Sequence, residues 1–143
     1  MLRSFPLLLL AVILFNLMAA VHGFNATGMD QLLAYHVPVK MFSGQLWQFS
    51  AGDLLVVVSM ALLFVEVVKS TRTTAIEIIN HALSMLVFII ALVEFIMVKG
   101  FATSAFFFLT VLCLFDSIAG PTITAVAAKR DIGFAPTNMM DSN

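Results

Sequence analysis

Apolar residues gather in four long runs, at residues 5–22, 51–68, 75–98 and 102–128, divided by short polar breaks and one long one. Each run approaches or exceeds the roughly 20 residues that a helix needs to cross the hydrocarbon core of a bilayer. The pattern predicts an all-α, integral membrane four-helix bundle, built as a single domain over residues 1–130. The long break, residues 23–50, is expected on the outer side. Its stretch Asp30-Gln-Leu-Leu-Ala-Tyr35-His36-Val-Pro38-Val mixes apolar and polar positions and reaches a proline, which reads as a short interfacial helix followed by a return segment. Tyr35 and Trp47, each with an apolar body and a polar edge, are expected to act as interface anchors at headgroup level. The connections at 69–74 and 99–101 are short enough to make the second, third and fourth spans antiparallel neighbours. Residues 131–143, with Pro136, Asn138 and Asp141, read as a short disordered cytoplasmic tail.

Composition agrees with this reading: 62% of the chain is hydrophobic and 10% charged, more apolar surface than a soluble domain can bury. A net charge of −1 gives no electrostatic footprint for nucleic acid. The few basic residues mark topology instead. Of the seven, Arg3, Lys69, Arg72, Lys129 and Arg130 fall on one side of the four spans and Lys40 and Lys99 on the other, which favours both termini in the cytoplasm. The first run follows a lone Arg3 and resembles a signal peptide in outline. It is longer than the usual ~7–15 apolar residues of one, so a retained span is expected. Its removal would leave the orientation of the other three unchanged.

The polar residues inside the runs carry the candidate chemistry. Asp116 stands near the middle of the fourth run, where a carboxylate is costly unless neutral or partnered. Ser50-x-x-Asp53 and Thr74-x-x-Glu77 match the helix-capping box. Glu66, close to Lys69 and Arg72, reads as a solvated ion pair at the boundary, and Glu94 as a snorkelling group or a partner for Lys99. Asn25-Ala26-Thr27 matches the glycosylation acceptor pattern, a three-residue match that arises often by chance. At 100° per residue Glu77, Asn80, His81 and Ser84 form one stripe of the third span, and Thr110, Cys113, Asp116, Ser117, Gly120 and Thr124 one side of the fourth. Counting rise per residue from the cytoplasmic ends places His81 about 9 Å deep and Asp116 about 18 Å deep. The same count predicts a buried layer of Asn16, Ser59, Ser84 and Asp116 that opens toward His81, Glu77 and Glu66. Such a layer serves either as interhelical hydrogen bonding, typically ~0.6 kcal/mol per bond, or as a proton-handling cluster around Asp116 and His81. Pro121 sharpens the second possibility, because it leaves the carbonyl of Ser117 without a helical donor beside Asp116.

Several reactions are excluded by inventory. A haem-bearing bundle needs paired membrane histidines, and only His81 lies well inside a span. The single Cys113 excludes a disulfide, a Cys-x-x-Cys redox pair of the vitamin K epoxide reductase kind and a cysteine zinc site. A carboxylate di-metal bundle needs two Glu-x-x-His pairs, whereas Glu77 to His81 has the wrong spacing and no second copy. Small multidrug exporters carry a glutamate in their first span, absent here, and Ser84, His81 and Asp116 would need a water-accessible site to act as a hydrolytic triad. No catalytic residue, metal or cofactor is therefore expected.

The stretches Phe42-Ser43-Gly44 with Trp47, Gly52-Asp53-Leu54, Leu63 to Lys69 with Thr71-Arg72, His81-Ala-Leu-Ser84 to Phe88, Ala102-Thr-Ser with Phe106-Phe107, Asp116 to Gly120 and Lys129-Arg130-Asp131-Ile132 resemble a family of uncharacterised small four-span inner-membrane proteins of alphaproteobacteria. The resemblance covers residues 40–134. It implies a location in the bacterial cytoplasmic membrane and supplies no activity. With the lipid bilayer as its first partner, the chain is expected to be a non-enzymatic accessory or oligomeric subunit that meets other membrane proteins or itself. The competing expectation is a proton- or cation-coupled transporter or channel subunit.

Overall fold

The computed structural model describes residues 5–69 and 75–133, with the side chains of 75–78, 124–125 and 127–133 excepted. The chain is mostly helical. Its elements run α1 (Leu8–Val21), α2 (Ala26–Ala34), β1 (His36–Lys40), β2 (Leu46–Ser50), α3 (Ala51–Lys69), α4 (Ala75–Met97) and α5 (Ser104–Gly133). Among the described residues three helical segments are long and apolar enough to cross a membrane: Ala51–Lys69, Ile79–Met97 and Ser104–Ile123. Their outward faces carry large apolar side chains such as Phe64, Ile96, Phe108 and Phe115, all well exposed. Water penalises such a surface; hydrocarbon does not.

The first expected span is a shorter helix. At 14 residues, α1 is about 21 Å long against a hydrocarbon core of ~30 Å. It stops because Gly23 and Phe24 turn left-handed, at φ 62° and 52°. The Phe24 N–H then bonds Ala19 O at 2.8 Å and the Gly23 N–H bonds Ala20 O at 3.0 Å, the reciprocal pattern of a Schellman stop. A non-glycine residue in that conformation is strained, and stacking of Phe24 on Phe101, centroids 6.4 Å apart, helps to hold it. Asn25 then caps α2, its side chain accepting from the Thr27 N–H at 3.1 Å. The chain has bent by 119° between α1 and α2. The acceptor-like Asn25-Ala26-Thr27 thus performs a helix start, which is what an Asn two residues before a free N–H does best.

The expected short helix before Pro38 is present and ends earlier than the proline, and the return segment is a β-hairpin. The helix ends at Ala34, and Val37, Pro38 and Val39 lie in β1, antiparallel to β2 with His36 opposite Ser50, Pro38 opposite Gln48 and Lys40 opposite Leu46. The β-branched valines favour the extended chain. Hydrogen bonds from Ala51 N to Tyr35 O and from Met41 N to Gln45 O fix the alternation of the ladder, and Pro38 falls on a non-hydrogen-bonded pair where its missing N–H costs nothing to the ribbon. Gly44, at φ 85°, closes the tip. The fold is therefore not purely α-helical.

Inside, α5 packs along both α3 and α4, and α1 touches all three. Leu8, Val12, Phe15 and Ala19 recur on one face of α1 and are buried against Val87, Ala91, Phe106, Leu109 and Cys113. Phe15 sits over Phe101 and Phe106 with centroids 5.1 and 4.5 Å away, closing the core at the α2 end. Gly100, at φ 87°, makes the tight turn there beneath Met29. At the far end helix continues through Gly133, so the expected tail is helical over residues 131–133 and the rest lies outside the described residues.

Candidate functional site

The polar side chains collect at the end of the molecule opposite the hairpin. Along α3 the buried positions are Gly52, Leu55, Ser59 and Glu66, one stripe at helical spacing. That stripe carries Glu66 inward. Its carboxylate is wholly buried, which corrects the expectation of a solvated pair. Lys69, one turn on, does pair with it, Nζ to Oε1 3.0 Å, while donating also to the Phe5 carbonyl at 3.1 Å. From α4 the Asn80 Nδ2 donates to Oε1 at 2.6 Å. From the start of α1 the Leu7 N–H donates to Oε2 at 2.7 Å.

The geometry explains the burial. Leu7 precedes the first turn of α1, where backbone N–H groups have no helical acceptor and the helix dipole favours negative charge. A carboxylate supplied by α3 satisfies that end, and the same carboxylate takes the amide of α4. Glu66 thereby joins three helices through charge-assisted hydrogen bonds, the stronger class in a dry interior.

One turn beyond Asn80 on α4, Ser84 faces α5. Asp116 is buried there, with the Ser84 Oγ directed at its carboxylate but outside hydrogen-bond geometry, and Glu66 and Lys69 near enough to act on it electrostatically. His81 lies half-buried between these levels, its ring against Gly120; a Cβ at residue 120 would overlap the imidazole Nδ1 and Cε1. Among the described buried atoms, Asn80 Oδ1 and Ser84 Oγ have no hydrogen-bond partner. They are where the cluster keeps spare polar capacity.

The structure regroups the remaining candidates. Asn16 is not part of a layer with Asp116: its Nδ2 donates to Glu94 Oε2 at 3.0 Å and to Val12 O at 3.1 Å, on the far side of the core. Glu94 accordingly pairs with Asn16, and the expected Lys99 pairing does not form. Ser59 is buried but turns its hydroxyl to the Leu55 carbonyl of its own helix at 2.7 Å, so it adds no interhelical bond. Thr110 does the same with Phe106 O. The Ser50 and Asp53 box forms in both directions, Ser50 N to Asp53 Oδ2 at 2.9 Å and Asp53 N to Ser50 Oγ at 3.0 Å. Thr74 and the Glu77 side chain lie outside the described residues. Tyr35 and Trp47 are exposed at the hairpin end. No grouping of three His, Cys, Asp or Glu side chains suited to a metal occurs among the described residues.

Sequence reasoning grouped Glu66, His81, Ser84 and Asp116 and placed Asn80 on the same stripe, but missed that Asn80 is the direct partner of Glu66. The signal was available: Glu66 follows Ser59 by seven residues and Leu55 by eleven, on the inward stripe of α3. Comparison with family models, curated proteins and solved structures finds no match to the chain.

Proposed function

We propose that the chain is a four-span protein of the bacterial cytoplasmic membrane, with both termini cytoplasmic, and that it works as a non-enzymatic accessory or oligomeric subunit of a membrane assembly. The observation that supports this role is the Glu66 junction. Both carboxylate oxygens are engaged, by α1, by α4 and by Lys69, so the most polar part of the interior is committed to holding helices in register. The outer faces of α3, α4 and α5 remain apolar and free for lipid or a partner helix. Extraction in mild detergent, crosslinking and mass spectrometry test the role: a stoichiometric partner or a defined self-assembly is expected. A monodisperse monomer that retains no partner after crosslinking in the membrane would refute it.

A second reading, a proton- or cation-coupled subunit, draws on one observation: Asp116 is buried beside a Ser84 hydroxyl that has no hydrogen-bond partner, a turn from His81. It predicts a pH-driven flux in proteoliposomes that Asp116→Asn abolishes. Absence of flux in the wild type removes this reading.

A further inference from the structure

A groove of about 430 Å³ runs between α1 and α4 on the outer surface, walled by Leu9, Ile13 and Leu17 on one side and Ile90 on the other, with Asn16 and Glu94 at its floor. Everything in it is apolar except that amide and that carboxylate. Glu94 Oε2 accepts from Asn16, whereas among the described residues no donor reaches Oε1 and Lys99 makes no ion pair with it. An acidic group with one unused oxygen among apolar side chains calls for a cation or a hydrogen-bond donor.

The dimensions limit what can supply it. Glu94 stands three residues from the end of α4 at Met97, about 4.5 Å below it, at the level where headgroups meet acyl chains. From the level of Asn16, which holds Glu94, the groove follows α1 down to Leu9. Those seven residues span about 10 Å, which fits within the ~15 Å depth of one leaflet. A membrane lipid matches both features, with its headgroup at the polar end and one chain along the apolar wall. Charge selects among lipids: a carboxylate repels an anionic headgroup and attracts an ammonium.

We propose that the α1–α4 groove is a binding site for an aminophospholipid, whose primary ammonium donates to Glu94 Oε1 while an acyl chain lies along Leu17, Ile13 and Leu9. The site requires the chain to lie in a bilayer and is independent of either functional role.

Reconstitution into vesicles of equimolar phosphatidylethanolamine and phosphatidylglycerol, re-extraction into mild detergent and mass spectrometry of the retained lipid test it. The wild type should retain the ethanolamine and glycerol lipids in a ratio of about three to one against one to one in the input, the size expected of one half-buried ion pair. Glu94→Gln should keep the bond from Asn16 and the folded state yet lose the enrichment. Ile13→Trp, which fills the groove, should lower the total lipid retained while leaving Glu94 in place. Retained lipid of input composition in the wild type overturns the proposal, as does undiminished enrichment in Glu94→Gln. A polypeptide occupying the groove in stoichiometric amount overturns it too.

Discussion

The imidazole of His81 rests against the Cα of Gly120, so that a side chain at position 120 has no room. Alanine is favoured over glycine inside a helix by about 1 kcal/mol. Gly120→Ala should nevertheless destabilise the protein, by about 1–3 kcal/mol, because overlap with the ring outweighs propensity. Thermal unfolding in detergent reads the sign. In the His81→Ala background the same change should become neutral or stabilising; equal losses in both backgrounds would show that the contact is not the cause.

Glu66 depends on its amide partner in the same direct way. Asn80→Leu removes one donor from a buried carboxylate and should cost about 1–3 kcal/mol. Asn80→Asp, which sets a second carboxylate against the first, should cost more. Comparable stability for Asn80→Leu and wild type in denaturant titrations would mean that the bond at 2.6 Å contributes little.

Asp116 separates structure from titration. Asp116→Asn keeps shape and polarity and should fold nearly as wild type. Asp116→Leu sets a bulkier apolar side chain where the carboxylate faces the Ser84 hydroxyl and should lose about 1–3 kcal/mol. An Asn variant as unstable as the Leu variant would mean that the charge itself is required for folding.

The start of the chain is tied to the end of α3 through Leu7 to Glu66 and through Lys69 to Phe5. Intact mass of the purified protein should therefore include residues 5–21. Loss of this segment would leave Glu66 buried without its backbone donor, so a stable truncated protein would contradict the role given to that bond.

The proposed orientation rests on the basic residues. A reporter fused at Asn143 should read cytoplasmic and one inserted after Lys40 periplasmic. A periplasmic signal at Asn143 would reverse the orientation.

What could be read from the sequence was local. Hydropathy marks α3, α4 and α5 because each is continuous, and the Ser50 and Asp53 box is visible because both halves of it lie within three residues. The grouping of His81, Ser84 and Asp116 followed from helical periodicity on neighbouring antiparallel segments. Partners fixed by tilt and stagger between helices were not legible. Counting residues from the membrane edge put Asn16 beside Asp116, but the stop at Gly23 and the pinning of Leu7 set α1 so that Asn16 meets Glu94. The hairpin escaped because Asp30 to Val39 carries a helical start and an extended end in a single stretch, and Pro38 was taken to mark the boundary that Ala34 makes.

Pro38 has one more effect. In a two-stranded ribbon each strand has an outer edge, and the N–H groups of its non-hydrogen-bonded residues point away from the partner strand. On β1 those residues are His36, Pro38 and Lys40, and the middle one has no N–H to offer. A third strand cannot be templated along that side. Any chain that extends this ribbon must add beside β2, along Leu46 and Gln48, since the Ser50 N–H is already held by Asp53, which gives an otherwise symmetrical hairpin a single growing edge.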